Sequence, residues 1–328
     1  MLRDYAQLHF IVLLWGFTAI LGRLVEVPST ELVFYRTLVA SLGLFVLLKF
    51  KKENIFINNK GIAQILFTGV LIALHWILFF ESARVSNVSV CLAGMATSSL
   101  WTSILEPIAL GKKTKWYEVV LGVVVILGLY VVFHFEFQYV EGLIMAILSA
   151  LLASIFSITN SKFSQKYNHF TITFYEMIGA FLATVILIPG YNYYVSIAQN
   201  QPANFGFHSA PSMSDWFYIA ILALVCTVYA YSIAVELMKR ISAFAINLTV
   251  NLEPVYGILL AVVFFDEHNT MTKGFYFGTL IILFAVLIYP ALKKWDAKRE
   301  KQTLKQWDTI NVKPSESTKV EILEKERV

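Results

Sequence analysis

Charge is scarce in this chain. Asp, Glu, Lys and Arg make up 15% of its 328 residues, against 58% hydrophobic residues. A soluble domain carries about 25% charged residues, so there is too little polar surface here for a water-soluble globule. Cysteine is nearly missing. Cys91 and Cys226 both fall in apolar runs, which excludes a disulfide framework and a cysteine zinc site. No GxxxxGK[ST] loop occurs, so ATP is not an energy source within this chain. HExxH and GxSxG are absent. A hydrolytic centre, a metal site and a cofactor site are therefore not expected. The net charge of +4 does not call for nucleic acid, because the basic residues sit in short loops and the tail.

What the sequence does have is apolar length. Hydrophobic blocks recur near 8–25, 30–48, 61–80, 87–110, 116–134, 141–161, 171–189, 215–235, 244–265 and 273–292. A hydrocarbon core of about 30 Å needs about twenty apolar helical residues. A span in lipid must also satisfy its own backbone, and the short alternating segments of a membrane barrel are absent. The expectation is an all-α integral membrane protein with ten transmembrane helices in the cell membrane. The first block follows little positive charge and precedes no small-residue cleavage pattern, so it reads as a retained span.

Basic residues set the orientation. One set of loops carries Lys49, Lys51, Lys52, Lys60, Lys112, Lys113, Lys115, Lys162, Lys166, Lys239, Arg240, Lys293 and Lys294. The alternate set carries Arg23, Arg84 and Lys273. Positive loops stay in the cytoplasm, so both termini are expected inside. Residues 190–214, the longest outside connection, contain no Lys, Arg, Asp or Glu. They read as a neutral loop at the interface, with a lid as the alternative. From Asp296 onward charges alternate and aromatics are few, the pattern of a solvated tail.

The chain also repeats itself. "HWILFFESARVSNVSV" (75–90) lies over "YSIAVELMKRISAFAI" (231–246) at a constant offset that carries Gly122 onto Gly278 without a gap. "FYRTLVA" (34–40) lies over "FYEMIGA" (174–180). The implied domains are a five-helix repeat over 1–135, a second over 136–295, and a charged cytoplasmic tail over 296–328. Five is odd, so the second repeat is inverted relative to the first. Inverted repeats mark secondary transporters, whose solute site lies between the halves near mid-membrane.

The run "ISAFAINLTVNLEPVYGILLAVVFFDEHNTMTKGFYFGTLIIL" resembles the ninth and tenth spans of the EamA group in the drug/metabolite transporter superfamily. The shared pattern is Leu252-Glu253-Pro254 within the ninth span, Asp266-Glu267 at its end and Gly278 in the tenth. "WGFTAILGR" (15–23) and "FYRTLVASL" (34–42) resemble its first two spans, so the likeness covers about residues 8–293. It implies a secondary transporter of small organic metabolites, such as amino acids or related amphipathic solutes, exporting them by alternating access. One departure stands out. "ATSSLW" (96–101) occupies the place of "LEPVYG" (252–257), and Leu105-Glu106-Pro107 lies nearer the inner end of span four.

Ionisable groups inside a membrane cost about 2.5–3.5 kcal/mol each on insertion scales and are functional candidates. Those present are Arg36, His75, Glu106, Glu176 and Glu253. In span nine Asn247, Asn251 and Pro254 share one helical stripe, while Thr249, Glu253 and Tyr256 share another. Either stripe can line a cavity. Pro254 lacks an N–H and deprives the Val250 carbonyl of its partner, so a kink is expected there. Glu253 reads either as a carrier of the coupling proton or as a hydrogen-bonded packing carboxylate. In span four Cys91, Met95, Ser98, Thr102 and Glu106 form a stripe that suits an aqueous face. Glu106 is close enough to the inner end to snorkel or to pair with Lys112 or Lys113. His75, Phe79 and Ser82 share a face of span three, beside Trp76. His75 can carry a proton, donate to a solute or simply pack. Arg36 and Glu176 are repeat mates, in the outer part of span two and the inner part of span seven. Each suits a gate anchor or a snorkelling side chain, and the resemblance favours a structural role for Arg36.

Aromatic residues lie within the spans as well as at their ends. Trp15, Trp76, Trp101, Tyr175, Tyr229 and Tyr231 suit an amphipathic or aromatic solute, held by stacking and cation–π contact. With His75, Phe79, Met95, Ser98, Asn247 and Asn251 they form the expected substrate-binding set. Glu253 and His75 are the expected coupling groups. The expected partners are a small-molecule solute, membrane lipid and a proton, with passive exchange as the alternative to proton coupling. Gly274 and Gly278 permit packing within the bundle or a homodimer, so monomer and dimer both stay open. The competing readings are an intramembrane enzyme, a non-transporting receptor or partner protein, and a transporter of nucleotide sugars or drug-like solutes.

Overall fold

Every regular element is helical among the residues that the computed structural model describes, namely 2–111, 115–135, 137–198, 202, 204–208, 210–250, 252–253, 256–257, 260 and 272–309. In chain order these are α1 (Leu2–Gly16), α2 (Thr18–Leu24), α3 (Ser29–Lys51), α4 (Asn59–Val85), α5 (Val88–Met95), α6 (Ser98–Leu110) and α7 (Trp116–Phe135). Then follow a short 3-10 helix (Phe137–Tyr139), α8 (Val140–Phe163), α9 (His169–Ala198), α10 (Met213–Ala220), a π-helical segment (Ile221–Tyr231), α11 (Ser232–Leu237), α12 (Ala243–Val250) and α13 (Lys273–Thr309). Eight described stretches are long and apolar enough to cross a membrane, and α7 adds a shorter apolar helix. Asn251, Pro254, Asp266 and Glu267 lie outside the described residues, and so does the kink expected at Pro254.

Local chemistry sets many of the helix ends. Asn58 accepts the Gly61 N–H at 3.1 Å to open α4, and Asn87 accepts the Val90 N–H at 2.8 Å to open α5. Ser212 and Asp215 cap α10 reciprocally. Each satisfies backbone donors that a helix start leaves over. Gly111 ends α6 in the left-handed conformation, which a residue without Cβ adopts freely.

Three of the spanning stretches are interrupted. Phe17 separates α1 from α2, Ala96 and Thr97 separate α5 from α6, and the π segment separates α10 from α11. Proline causes none of these. A threonine hydroxyl bonds a main-chain carbonyl at each: Thr18 to Trp15 O at 2.7 Å, Thr97 to Gly94 O at 2.8 Å and Thr227 to Leu222 O at 2.9 Å. Such side chains offer the backbone an alternative to the regular ladder, a recognised source of helix bending.

The sequence halves interlock. α4 packs along α8 and α9, α3 packs along α9, and α7 pairs with α13. In lipid there is no hydrophobic drive between helices, so close approach of backbones supplies the packing. A Cβ at Gly69 would strike the Glu176 carbonyl and Gly179, and a Cβ at Gly179 would strike the Leu66 carbonyl. Likewise a Cβ at Gly128 would meet Gly278 and Ile282, so Gly278 serves packing within the bundle. Leu42, Phe67, Ile186 and Phe277 stay exposed on outer faces, as lipid-facing side chains do.

Two connections differ from expectation. α9 runs on to Ala198, so it absorbs the start of the stretch expected to be a loop. Within α9, Asn192 Nδ2 donates to Gly206 O at 2.6 Å, and beyond the helix His208 Nδ1 lies 3.0 Å from Glu31 Oε1. At the other end, α13 continues past Asp296 to Thr309, and Lys115 pairs with Asp296 at 3.2 Å and Glu300 at 2.7 Å. Residues 310–328 lie outside the described residues.

Candidate functional site

A cavity of about 90 Å³ opens where the interrupted helices meet. By that measure it has room for several water molecules, each needing about 10–15 Å³, or for one small organic molecule. Its walls come from α1 to α6, α8, the π segment, α11, α12 and Glu253. Among the described residues, α7, α9 and α13 add nothing to the lining.

Two charges face this space. Arg36 on α3 is buried, with its guanidinium carbon 3.8 Å from the centre of the Trp76 ring. Its Nε donates to Thr227 Oγ1 at 3.0 Å. Thr227 sits in the π segment and donates its own proton to Leu222 O, so its oxygen is free to accept. A guanidinium over an indole gains cation–π attraction and is less strongly hydrated than an ammonium, which suits burial. Glu253 lies on another wall, where Oε1 is 3.4 Å from Thr18 Oγ1, whose one proton it shares with the nearer Trp15 O. It is the sole acid among the described lining residues. The packing alternative for Glu253 has this one long hydrogen bond in its favour.

The remaining walls are aromatic and polar. Trp15 Nε1 donates to Cys226 O at 3.1 Å, fixing the indole against the π segment. Asn247 Nδ2 donates to Thr102 Oγ1 at 2.7 Å, and Asn247 Oδ1 accepts from Ser157 Oγ at 3.2 Å. That amide ties α12 to α6 and α8 while still lining the space. His75 Nδ1 lies 3.0 Å from Ser149 O and 2.8 Å from Ser149 Oγ, and Ser149 Oγ donates to His75 O at 2.8 Å. Nδ1 is thereby committed to α8, which leaves Nε2 as the ring's remaining polar atom.

Of the expected binding set, Trp15, His75, Trp76, Phe79, Met95, Ser98, Tyr231 and Asn247 line the cavity. Asn251 lies outside the described residues. Three do not line it. Tyr229 is 43% exposed while Tyr231 is buried, because side chains two apart on a helix point in divergent directions. Tyr175 donates to Ile55 O at 3.1 Å, away from the site. Trp101 packs against the main core with Nε1 unpartnered. Residues not expected there are Arg36, Thr18, Phe156, Ser157 and Cys226. Glu106, which could have snorkelled or paired with a lysine, is buried, and its Oε2 accepts the Phe244 N–H at 2.7 Å. That caps the first turn of α12, where a carboxylate is favoured by unpaired N–H groups and the helix dipole. Lys112 and Lys113 lie outside the described residues.

The chain matches the model of the EamA-like transporter family over residues 7–134 and 140–289. It is 24% identical over 249 residues to "Uncharacterized transporter YxxF" of Bacillus subtilis (strain 168), covering 73% of this chain and 74% of that protein. A solved structure described as "Crystal structure of protein" superposes with a TM-score of 0.62 at 14% identity, covering 88% of this chain and 98% of the other. That likeness concerns the fold.

Proposed function

This chain belongs to the EamA-like transporter family, in the drug/metabolite superfamily, and on that premise we propose that it exports small zwitterionic metabolites of the amino-acid kind by alternating access. The supporting observation is that Arg36 and Glu253 both line one aromatic-walled cavity. A guanidinium suits an α-carboxylate, a carboxylate suits an α-ammonium, and Trp15, Trp76 and Phe79 suit an apolar side chain. A nucleotide sugar fits less well, because Arg36 is the sole cationic side chain among the described lining residues. Ten crossings, inverted five-helix repeats and cytoplasmic termini complete the proposal, on the basis of the repeat and the basic-residue bias.

Energy enters as a proton. Glu253 can hold a solute ammonium or a proton but not both, so outward passage of solute is exchanged for inward passage of a proton. The test is flux of a labelled mixture of the twenty amino acids in sealed proteoliposomes, after a thermal-shift screen for those that bind. Uptake or release that depends on the protein and on the pH gradient supports the reading. Absence of any protein-dependent flux, with hits that still bind, favours a receptor.

A further inference from the structure

A second acid lies outside the cavity. Glu176 on α9 is fully buried, and neither carboxyl oxygen has a hydrogen-bond partner. Its polar neighbours are Asn160 of α8 and Tyr231 of the π segment. Asn160 is also fully buried, and its Nδ2 donates to Tyr231 Oη at 2.8 Å while its Oδ1 is unpartnered. Because Oη accepts that bond, the tyrosine's own O–H is left to point elsewhere. Tyr231 in turn lines the cavity. One hydroxyl thus stands between a buried carboxyl group and the space proposed for the solute.

Among the described residues, no cation acts on Glu176 from the helices that pack on α9. Arg36 of α3 and His75 of α4 line the cavity, and Glu236 of α11 lies near His169 at the start of α9, 3.6 Å apart. With no cation beside it, an ionised carboxylate is a costly occupant of such a place even with Asn160 and Tyr231 as neighbours. The neutral acid can instead serve as a donor to Asn160 Oδ1 or Tyr231 Oη. α9 also meets α4 here backbone to backbone at Gly69 and Gly179, so movement of the two helices past one another would reach this group directly.

From this geometry we infer that Glu176 is a second proton-binding site, connected to the solute cavity through the Tyr231 hydroxyl. In the arrangement described, Glu176 holds the proton. On opening, its O–H bond breaks and the proton passes to Tyr231 Oη, while the tyrosine releases its own proton to a cavity water. The products are a Glu176 carboxylate, an unchanged tyrosine and a hydronium ion, so charge and atoms balance. Glu253 couples by competition with the solute. Glu176 couples through conformation, since its ionised form is compatible only with a state that lets in water. This inference rests on the transporter reading.

Infrared difference spectra of the full-length protein in lipid vesicles, taken across pH, test the site without any solute. A protonated carboxyl band that titrates in the wild type and is missing from Glu176→Gln is expected. Tyr231→Phe should keep the band but alter its titration. If no titrating band disappears in Glu176→Gln, the site is overturned. If that variant does not fold, an unaltered titration in Tyr231→Phe overturns it instead. Flux of the labelled amino-acid mixture supplies the second readout. Glu176→Gln should lower gradient-driven accumulation about tenfold while gradient-free counterflow persists. Full accumulation in this variant removes the coupling role. If no amino acid moves with the wild type, the solute reading fails, and the infrared result still decides the proton site.

Discussion

The guanidinium of Arg36 lies over the indole of Trp76 at 3.8 Å, and the same arginine is pinned by its Nε to Thr227 at 3.0 Å. A desolvated cation–π contact of this kind is worth about 2 kcal/mol. The hydrogen bond fixes the plane of the fork, so its outer nitrogens can address a carboxylate. Lysine keeps the charge but has neither the flat face nor the fork. Arg36→Lys and Trp76→Leu should therefore each weaken binding of the amino acids found in the thermal screen by about tenfold. Calorimetry on folded protein would show it. Wild-type affinity in Arg36→Lys would mean that charge alone matters and that stacking has no part.

The bond from the Phe244 N–H to Glu106 Oε2, at 2.7 Å, crosses between two helices. Removing a charged acceptor from a buried backbone donor costs about 1.5–3 kcal/mol. Glu106→Ala should lower the thermal midpoint in detergent, and Glu106→Gln should recover part of the loss because its amide oxygen still accepts. Lys112→Ala and Lys113→Ala should change little. A drop in the lysine variants as large as in Glu106→Ala would point to surface pairing.

Orientation can be read by labelling. Single cysteines at Glu53, Lys113 and Asn200, in a background with Cys91→Ser and Cys226→Ser, should behave differently towards an impermeant thiol reagent in intact cells. Asn200→Cys should react, and the other two only after lysis. The basis is the crowding of basic residues into alternate loops. Reaction at Glu53→Cys before lysis would invert the topology and move the proposed solute entry to the other face.

Much of the architecture was legible because membrane helices announce themselves by length. The blocks near 30–48, 61–80 and 141–161 fall inside α3, α4 and α8. The cavity wall was partly legible, since His75 and Phe79 stand at helical spacing on one face with Trp76 beside them. Arg36 was noticed as an intramembrane charge but given a structural role. Nothing in its local sequence reveals that Trp76 and Thr227, both distant in the chain, hold it at the cavity. The interruptions in the first and fourth spans and the π segment were invisible for a different reason. A threonine hydroxyl bonds a carbonyl at each, but Thr37 and Thr68 do the same within unbroken α3 and α4, so threonine does not signal a break, whereas proline signals one by chemistry alone. Tyr229 shows the cost of treating near neighbours as a group, since a step of two residues separates lipid from cavity.

The crossing of Gly69 and Gly179 also bears on how the chain is made. The ribosome delivers α4 well before α9, with α5 to α8 synthesised in between. Until α9 arrives, the bare glycine face of α4 has no partner to seal it, and only lipid or an insertase can cover it. The first half is thus unfinished when it leaves the translocon, and its maturation awaits the second. Residues 1–135 made alone should be short-lived and cleared by membrane proteases. The same fragment made together with residues 136–328 should survive, because association of the two would supply the missing helix in trans. Pulse-chase of the split chains would display that rescue, and Gly179→Leu in the second piece should abolish it.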